Sequence, residues 1–204
     1  MIRLIVGIAN NPNIMLSNVA RDNVGAWWVL ALCRKYNMPI RRFDLIEHTA
    51  ITDPFFLDKE NQKFSCAVTS THLNDAGNNV AKIVRHLNID VPEILVVHDD
   101  LTVDVGDVRL KAGKSDTSHK GINSIAEALH SDDFHRLRVG IGRPEGDKPL
   151  TNYLRESPTL GEKLEIDKAI DDSLYFLPHI LGGDWQSAMS YLNRPKTAAR
   201  FRLR

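Results

Sequence analysis

Three groups of polar residues follow stretches of the sequence that are typical of β-strands. Asn10 follows the apolar stretch 3–9, and Asp99 lies just after the wholly apolar stretch 94–97. The third group is the polar segment 111–121, which contains lysine, serine and histidine. In an open α/β sheet the ligand crevice lies beyond the carboxyl ends of the strands, so these groups are expected to meet there. Carboxylates, amides and imidazoles in one crevice can activate water and stabilise an oxyanion.

The elements that would carry these groups alternate along the chain. Strand-like stretches lie at 3–9, 40–43, 63–69, 94–97, 108–111 and 137–141. Apolar residues recur at helical spacing within 24–31, 76–87, 122–129 and 166–181. Ser118 and Thr159 are predicted to cap the third and fourth helices. Strands that alternate with helices predict a single α/β domain built on a largely buried sheet.

Composition places the chain among ordinary globular proteins. It has 204 residues, of which 43% are apolar and 25% are charged, and its mean hydropathy is −0.25. No apolar run approaches the ~20 residues that a membrane span needs, and the N-terminus lacks the pattern of a secretory signal. Cys33 and Cys66 stand in apolar contexts, which predicts buried thiols in a reducing compartment such as the cytoplasm.

The formal net charge of zero hides an uneven distribution. Residues 194–204 carry five positive charges and no acid, which leaves 21 basic and 26 acidic residues in the first 193. We therefore divide the chain into a domain at 1–193 and a basic tail at 194–204. Such a tail is typical of a polyanion-binding arm, and a merely solvated tail is the alternative.

Generic cofactor and metal motifs do not fit the sequence. No G-x-G-x-x-G follows the first strand, and no C-x-x-C or H-E-x-x-H is present. His98, Asp99, Asp100 and Asp104 have side chains that can bind a divalent ion, but acids after a strand more often form caps and solvated turns. We expect no cofactor and no metal, and we expect Asp100 to be a solvated turn carboxylate.

Five blocks of sequence, in order, carry a family resemblance. They are residues 6–10, 21–27, 71–77, 93–101 and 134–142. Together they resemble the bacterial peptidyl-tRNA hydrolase family over about residues 1–190. The resemblance implies one domain with a mixed, mostly parallel twisted sheet flanked by helices. It also implies a cytoplasmic monomer that cleaves the ester between a peptide and the 3′ end of tRNA without a metal.

The resemblance also assigns roles to individual residues. Asn10, with Asn11 as the rival, and Asn74 match asparagines that hold the peptide and the attacked carbonyl. Asp99 matches the aspartate that orients the base, and His119 matches the histidine of a glycine-rich loop. Lys111 and Arg138 match the lysine and the arginine that clamp a tRNA phosphate in the family, and Arg109 is predicted to bind tRNA with them.

The sequence departs from the family pattern mainly at the reaction centre. Asp22 stands where the family has its histidine base, Lys120 replaces an asparagine, and His72 replaces an aromatic residue. The segment 114–121 is not rich in glycine. Asp22 is expected to face Asp99, and two neighbouring carboxylates push the pKa of one of them upward.

Three hypotheses follow from this pattern. The first is a hydrolase of tRNA-linked esters whose base is His72, His119 or an Asp22 of raised pKa. The second is a tRNA- or RNA-binding homologue without hydrolysis, which keeps its cations for backbone contacts. The third is an enzyme that passes the acyl group of aminoacyl-tRNA to an acceptor other than water, in which Lys120 takes part or is simply solvated.

Overall fold

The computed structural model of the chain describes residues 1–10, 20–57, 63–113 and 118–194. Its strands are β1 (Leu4–Ile8), β2 (Ile40–Arg42), β3 (Thr49–Thr52), β4 (Phe55–Phe56), β5 (Lys63–Thr69), β6 (Ile94–Asp100), β7 (Val108–Lys111) and β8 (His135–Gly140). Its helices are α1 (Val24–Lys35), α2 (Ala76–Leu87), α3 (Lys120–Leu129), α4 (Leu150–Arg155), α5 (Leu160–Tyr175), α6 (Leu177–Gly182) and α7 (Trp185–Leu192). Short 3-10 turns precede α1, α2 and β6.

The strands form one mixed sheet in the order β2-β3-β5-β1-β6-β8-β7, and β4 pairs with β5. The four adjacent strands β5, β1, β6 and β8 are parallel to one another. The strands β3, β4 and β7 run in the opposite direction. The predicted single α/β domain with a mixed, mostly parallel sheet is therefore confirmed.

Helices cover both faces of the sheet. On one face α1 and the helices α5 to α7 enclose a core that contains the fully buried Trp28, whose indole N–H donates to Ser173 Oγ at 2.7 Å. On the other face α2 and α3 pack Val80, Ile83 and Ile125 against the sheet. Central strands covered on both faces are expected to be apolar at every position, which explains the run 94–97.

Helix α1 begins in direct contact with the ends of two central strands. A Cβ atom on Gly25 would lie 2.3 Å from the carbonyl oxygen of Val97, and one on Gly7 would lie 2.5 Å from that of Gly25. Only glycine allows this approach, since neither distance leaves room for a side chain. The contact brings the residues before α1 to the carboxyl ends of β1 and β6.

The basic tail from residue 195 onward lies outside the described residues. The chain reaches it from Asn193, whose side chain lies against the edge strand β7. Asn193 Oδ1 accepts the backbone N–H of Leu110 at 2.7 Å, and Asn193 Nδ2 donates to the carbonyl of Leu110 at 2.9 Å. No helix in the described parts of the chain is long and apolar enough to cross a membrane.

Two details of the helices differ from the prediction. The cap of α3 is His119 and not Ser118, since His119 Nδ1 accepts the backbone N–H of Ile122. The apolar pattern of 166–181 is divided between α5 and α6, because Pro178 stands in the first turn of a new helix. The predicted capping box of Thr159 with Glu162 is confirmed, as is the burial of both free cysteines.

The contact at Gly25 yields a prediction for stability. Gly25→Ala is expected to lower the free energy of unfolding by at least about 2 kcal/mol, since the new methyl group overlaps two strand carbonyls. Gly161→Ala is the matched control, because a Cβ at that helical glycine of α5 meets nothing within 4 Å. The control is expected to leave stability unchanged or to raise it by up to about 1 kcal/mol. Urea denaturation measures both, and equal effects would contradict the packing argument.

Candidate active site

A cleft of about 1080 Å³ opens beyond the carboxyl ends of β1 and β6. Its floor is formed by these strand ends, and its walls are the turn before α2, the N-terminus of α3 and helix α4. The lining residues are Asn10, Asp22, His72, Leu73, Asn74, Asp75, Asp99, Asp100, Leu101, Thr102, Lys111, Ser118, His119, Lys120, Arg136, Arg138, Leu150, Thr151, Leu154 and Arg155. All the predicted site residues except Arg109 are thus brought to one cleft.

Asp22 and Asn10 form a hydrogen-bonded pair on the floor. Asn10 Nδ2 donates to Asp22 Oδ2 at 2.9 Å, and the backbone N–H of Asn10 donates to Asn23 Oδ1 at 2.7 Å. Asp22 is only 4% exposed. Burial raises the pKa of Asp22 to about 6, with a further contribution from the charge of Asp99, while the Asn10 hydrogen bond and the charge of Arg155 oppose the rise.

Asp99 is paired with His119 across the floor, with His119 Nε2 and Asp99 Oδ1 2.9 Å apart. Burial alone would raise the pKa of Asp99, but the charge and hydrogen bond of His119 lower it. Burial alone would lower the pKa of His119, but the charge and hydrogen bond of Asp99 raise it. Both ring nitrogens of His119 are engaged, because Nδ1 also accepts the N–H of Ile122 at 3.3 Å.

His98 packs beneath this pair as a buried imidazole. Its ring centroid lies 4.7 Å from that of His119, and its Nδ1 lies 2.7 Å from the backbone oxygen of Asp99. Burial and the charge of His119 lower the pKa of His98 to about 3. His98 is therefore neutral, and it makes an edge-to-face contact with the His119 ring.

The turn Leu73–Asp75 and the start of α3 are tied together by Ser124. Ser124 Oγ donates to the carbonyl of Asn74 at 2.6 Å and accepts the N–H of Gly77 at 3.1 Å. The side chains of Asn74 and His72 stand exposed on one side of the cleft, and Lys120 stands exposed at the first position of α3. Amide, imidazole and ammonium groups therefore line the same cleft as the Asp22 and Asp99 carboxylates.

Asp100 is not the solvated turn carboxylate that the sequence predicts. Arg138 Nε donates to Asp100 Oδ2 at 2.7 Å, and Asp100 Oδ1 accepts the backbone N–H and the hydroxyl of Thr102. Arg138 Nη2 also donates to Thr102 Oγ1 at 2.8 Å. Burial alone would raise the pKa of Asp100, but these hydrogen bonds lower it to about 2. The expectation fails because it treats Asp100 as isolated, whereas β8 places an arginine beside it.

Four basic residues share one face of the antiparallel strands β7 and β8. Lys111 lies opposite Arg136, and Arg109 lies opposite Arg138. Lys111, Arg136 and Arg138 line the cleft, whereas Arg109 pairs with Asp107 at 3.2 Å and lies outside it. Arg136 was missed by the sequence analysis, although its spacing of two from Arg138 on a strand places both on the same face.

Helix α4 is the wall that the sequence analysis missed. It carries Leu150, Leu154 and Arg155 into the cleft lining. The buried Arg21 anchors the segment that ends this helix, donating from Nη1 to the carbonyl of Ser157 at 3.1 Å and from Nη2 to Glu162 Oε2 at 2.7 Å. Helix α4 has only six residues and a single buried side chain, so its sequence shows no helical periodicity.

Several predicted features fall outside the described residues. The rival asparagine, Asn11, lies in the segment 11–19, and half of the segment 114–121, which matches the family's glycine-rich loop, lies in 114–117. Within the described ranges, no group of three or more histidine, cysteine, aspartate or glutamate side chains is arranged to hold a metal ion.

Comparison with known proteins identifies the family. The sequence model of the family described as peptidyl-tRNA hydrolase matches residues 4–200. A peptidyl-tRNA hydrolase of Legionella pneumophila (strain Paris) is 35% identical over 193 residues, which is 94% of this chain and 98% of that protein. One from Chromohalobacter salexigens is 34% identical over 193 residues, covering 94% of this chain and 96% of that protein.

The fold agrees with the same family. The crystal structure of peptidyl-tRNA hydrolase from Acinetobacter baumannii superposes with a TM-score of 0.85 at 28% sequence identity, covering 97% of each chain. The resemblance carried by the five sequence blocks is thus confirmed over almost the whole length. This protein belongs to the peptidyl-tRNA hydrolase family.

Proposed function

We propose that this protein hydrolyses the ester that joins a peptide to the 3′ end of tRNA, with Asp22 as the general base. The observation that carries the proposal is the buried Asp22 carboxyl, which is held by Asn10 on the floor of the cleft and has its pKa raised to about 6. A base works best when its pKa lies near the working pH, and an ordinary aspartate is too weak. The names of the relatives support peptidyl-tRNA as the substrate.

The two histidines are less suitable bases. His119 has Nε2 directed at Asp99 and Nδ1 directed at the first turn of α3, so neither nitrogen is available to water without breaking a contact. His72 is exposed at the rim, on the turn that precedes α2, and no hydrogen bond from its ring orients it within the described residues. Asp22, by contrast, is fixed in place and lies in the cleft.

The proposed reaction is a single hydrolysis through a tetrahedral intermediate. Asp22 takes a proton from water while the water oxygen attacks the ester carbonyl, and the carbonyl oxygen becomes negative. The amide of Asn74 and the ammonium of Lys120, both in the cleft lining, are suited to stabilise that charge. The proton then passes from Asp22 to the departing ribose oxygen, which releases the free peptide and tRNA.

The tRNA backbone is proposed to lie along β7 and β8. Lys111, Arg136 and Arg138 line one side of the cleft, and these three cations outnumber Asp100, the acid that is bound to Arg138. An excess of positive charge along two neighbouring strands suits the phosphate groups of a nucleic-acid backbone. The chain leaves Asn193 beside the same strand, which supports a role for the basic tail in backbone contacts. The proposal includes a monomer that acts in the cytoplasm.

One observation favours the non-hydrolytic alternative. Asp99 is occupied by His119, so it does not orient the residue that stands at the base position, which is Asp22. On this alternative the protein binds tRNA and leaves the ester intact. The acyltransferase alternative depends on Lys120, which is exposed in the cleft. Measuring whether the tRNA ester is cleaved, and whether the acyl group ends on water or on another acceptor, separates hydrolysis, binding alone and acyl transfer.

The first test removes the proposed base. Asp22→Asn is expected to reduce hydrolysis of peptidyl-tRNA about 10²- to 10⁴-fold, because the amide cannot accept a proton from water. His72→Ala is expected to keep most of the activity, and its inactivation would move the base to His72. If instead Asp22→His shows activity and the natural protein shows none, the natural protein has given up hydrolysis and the binding alternative holds.

The second test uses the free energy of unfolding. The pKa of Asp22 is raised from 3.8 to about 6 by the fold, so the folded state binds more protons than the unfolded state between these values. The contribution of Asp22 to the stability of the wild type therefore falls as the pH rises from about 4 to 6. Asp22→Asn is expected to be more stable than the wild type at pH 7, by up to about 3 kcal/mol, and to lose this advantage near pH 4.

Urea denaturation at several pH values measures this difference. Asp171→Asn is the control, since Asp171 is exposed on α5. Its effect is expected to stay within about 0.5 kcal/mol at every pH. An Asp22→Asn variant that is inactive and less stable at neutral pH would mean that Asp22 is structural.

The third test concerns the cations of β7 and β8. Replacing Lys111 and Arg138 together by glutamine is expected to weaken tRNA binding and to flatten its dependence on salt, by about one to two in the slope of log affinity against log salt. Arg41 and Arg42 lie exposed on β2, at the opposite edge of the sheet. Their double glutamine variant removes the same charge and is expected to keep the wild-type slope. Equal slopes for the two variants would exclude a local phosphate contact.

A further inference from the structure

Arg155 is a cation of the cleft that the proposed reaction does not yet use. It lies in the last turn of α4, lines the cleft and is exposed. Within the described residues no hydrogen bond or ion pair holds its guanidinium. Arg155 and Asp22 line the same cleft, and a positive charge at this place favours the ionised form of the Asp22 carboxyl.

The position of Arg155 is fixed by the backbone that carries it. Two residues earlier, the Tyr153 hydroxyl donates to the carbonyl of Ile141 at 2.5 Å, and its ring lies 4.2 Å from the guanidinium of Arg21. One residue later, the carbonyl of Glu156 accepts the backbone N–H of Arg21 at 3.1 Å. Arg21 is the neighbour of Asp22 in sequence. These contacts hold helix α4 against the turn that carries Asp22. The backbone of Arg155 therefore stays close to that turn.

The groups that face Asp22 come from three elements besides its own turn. Asn10, after β1, donates a hydrogen bond to it, and Asp99, at the end of β6, repels its charge. Asp99 is itself compensated by His119 from α3. Arg155, from α4, is the cation that acts on Asp22 against burial and against Asp99.

We propose that Arg155 is a positioning residue for the reaction, whose guanidinium stabilises the negative charge of Asp22 and so extends to lower pH the range in which this carboxylate acts as the base. The inference rests on the proposed function, in which Asp22 is the base. It identifies a charge that opposes the effects of burial and of Asp99 on the ionisation of Asp22. The exposure of Arg155 keeps the interaction modest, because solvent screens it.

The experiment measures the titration of Asp22 directly and through the reaction. The carboxyl carbon of Asp22 is followed by NMR in ¹³C-labelled protein without substrate and is assigned by its absence in Asp22→Asn. Arg155→Gln is expected to raise the Asp22 midpoint by about 0.5 of a pH unit, and to raise the acidic limb of the pH profile of kcat/KM by the same amount. Arg155→Lys is expected to restore most of the wild-type midpoint.

Arg143→Gln is the matched control. Arg143 is an exposed arginine in the segment between β8 and α4, and it is not part of the cleft lining. The control removes the same charge by the same substitution and is expected to leave the Asp22 midpoint unchanged. Raising the salt to about 1 M shortens the screening length to about 3 Å, so the difference in Asp22 midpoint between the wild type and Arg155→Gln is expected to shrink.

The outcomes separate the inference from the proposed function. An Asp22 midpoint that stays fixed in Arg155→Gln, or that moves equally in Arg143→Gln, overturns the inference even if the enzyme is active. A wild-type protein that shows no turnover of peptidyl-tRNA overturns the proposed function even if the midpoint moves. A fall in kcat/KM without a shift of its acidic limb assigns Arg155 to substrate binding and also overturns the inference.

Discussion

The start of helix α1 rests on the ends of two central strands, and the arrangement of the cleft depends on this contact. Gly7 and Gly25 carry no side chain, so the backbone of α1 comes against the carbonyls of β1 and β6. The turn before the helix therefore lies in the crevice beyond the ends of β1 and β6, next to Asn10 and Asp99. The backbone places Asp22 in that crevice, and the Asp22 carboxyl is thereby buried near the carboxyl of Asp99.

Burial of two carboxyl groups is tolerated because each is compensated differently. Asp99 has a close partner in His119, which holds the pKa of Asp99 below its usual value. Asp22 is held by the neutral amide of Asn10, and burial raises its pKa. Two aspartates on one floor thus acquire different protonation behaviour from their surroundings alone, which is how related acids take different roles in one site. Asp100, fastened to Arg138, is a third case and remains ionised throughout the neutral range.

The sequence was sufficient to predict the parts of this structure that depend on pattern. Polar residues after Ile8 and Val97 could be placed at one edge of the sheet, since parallel strands end on the same side. The family blocks then identified Asp22 as the residue at the base position. Partnerships between distant residues could not be predicted in this way. The bond of Asp100 to Arg138 depends on which strand lies beside β6. The cap of α3 is His119 because its other ring nitrogen is bonded to Asp99 at the end of β6. Helix α4 and Arg155 were missed because a six-residue helix with one buried side chain has no periodicity.

The contact between Asn193 and Leu110 also affects how the molecule behaves among its copies. Strand β7 is the last strand of the sheet, and an uncovered edge strand offers its N–H and carbonyl groups to any extended peptide. The Asn193 side chain satisfies both backbone groups of Leu110, as a neighbouring strand would. A foreign strand must displace this amide before it can extend the sheet at Leu110, so the end of α7 protects this edge from edge-to-edge pairing.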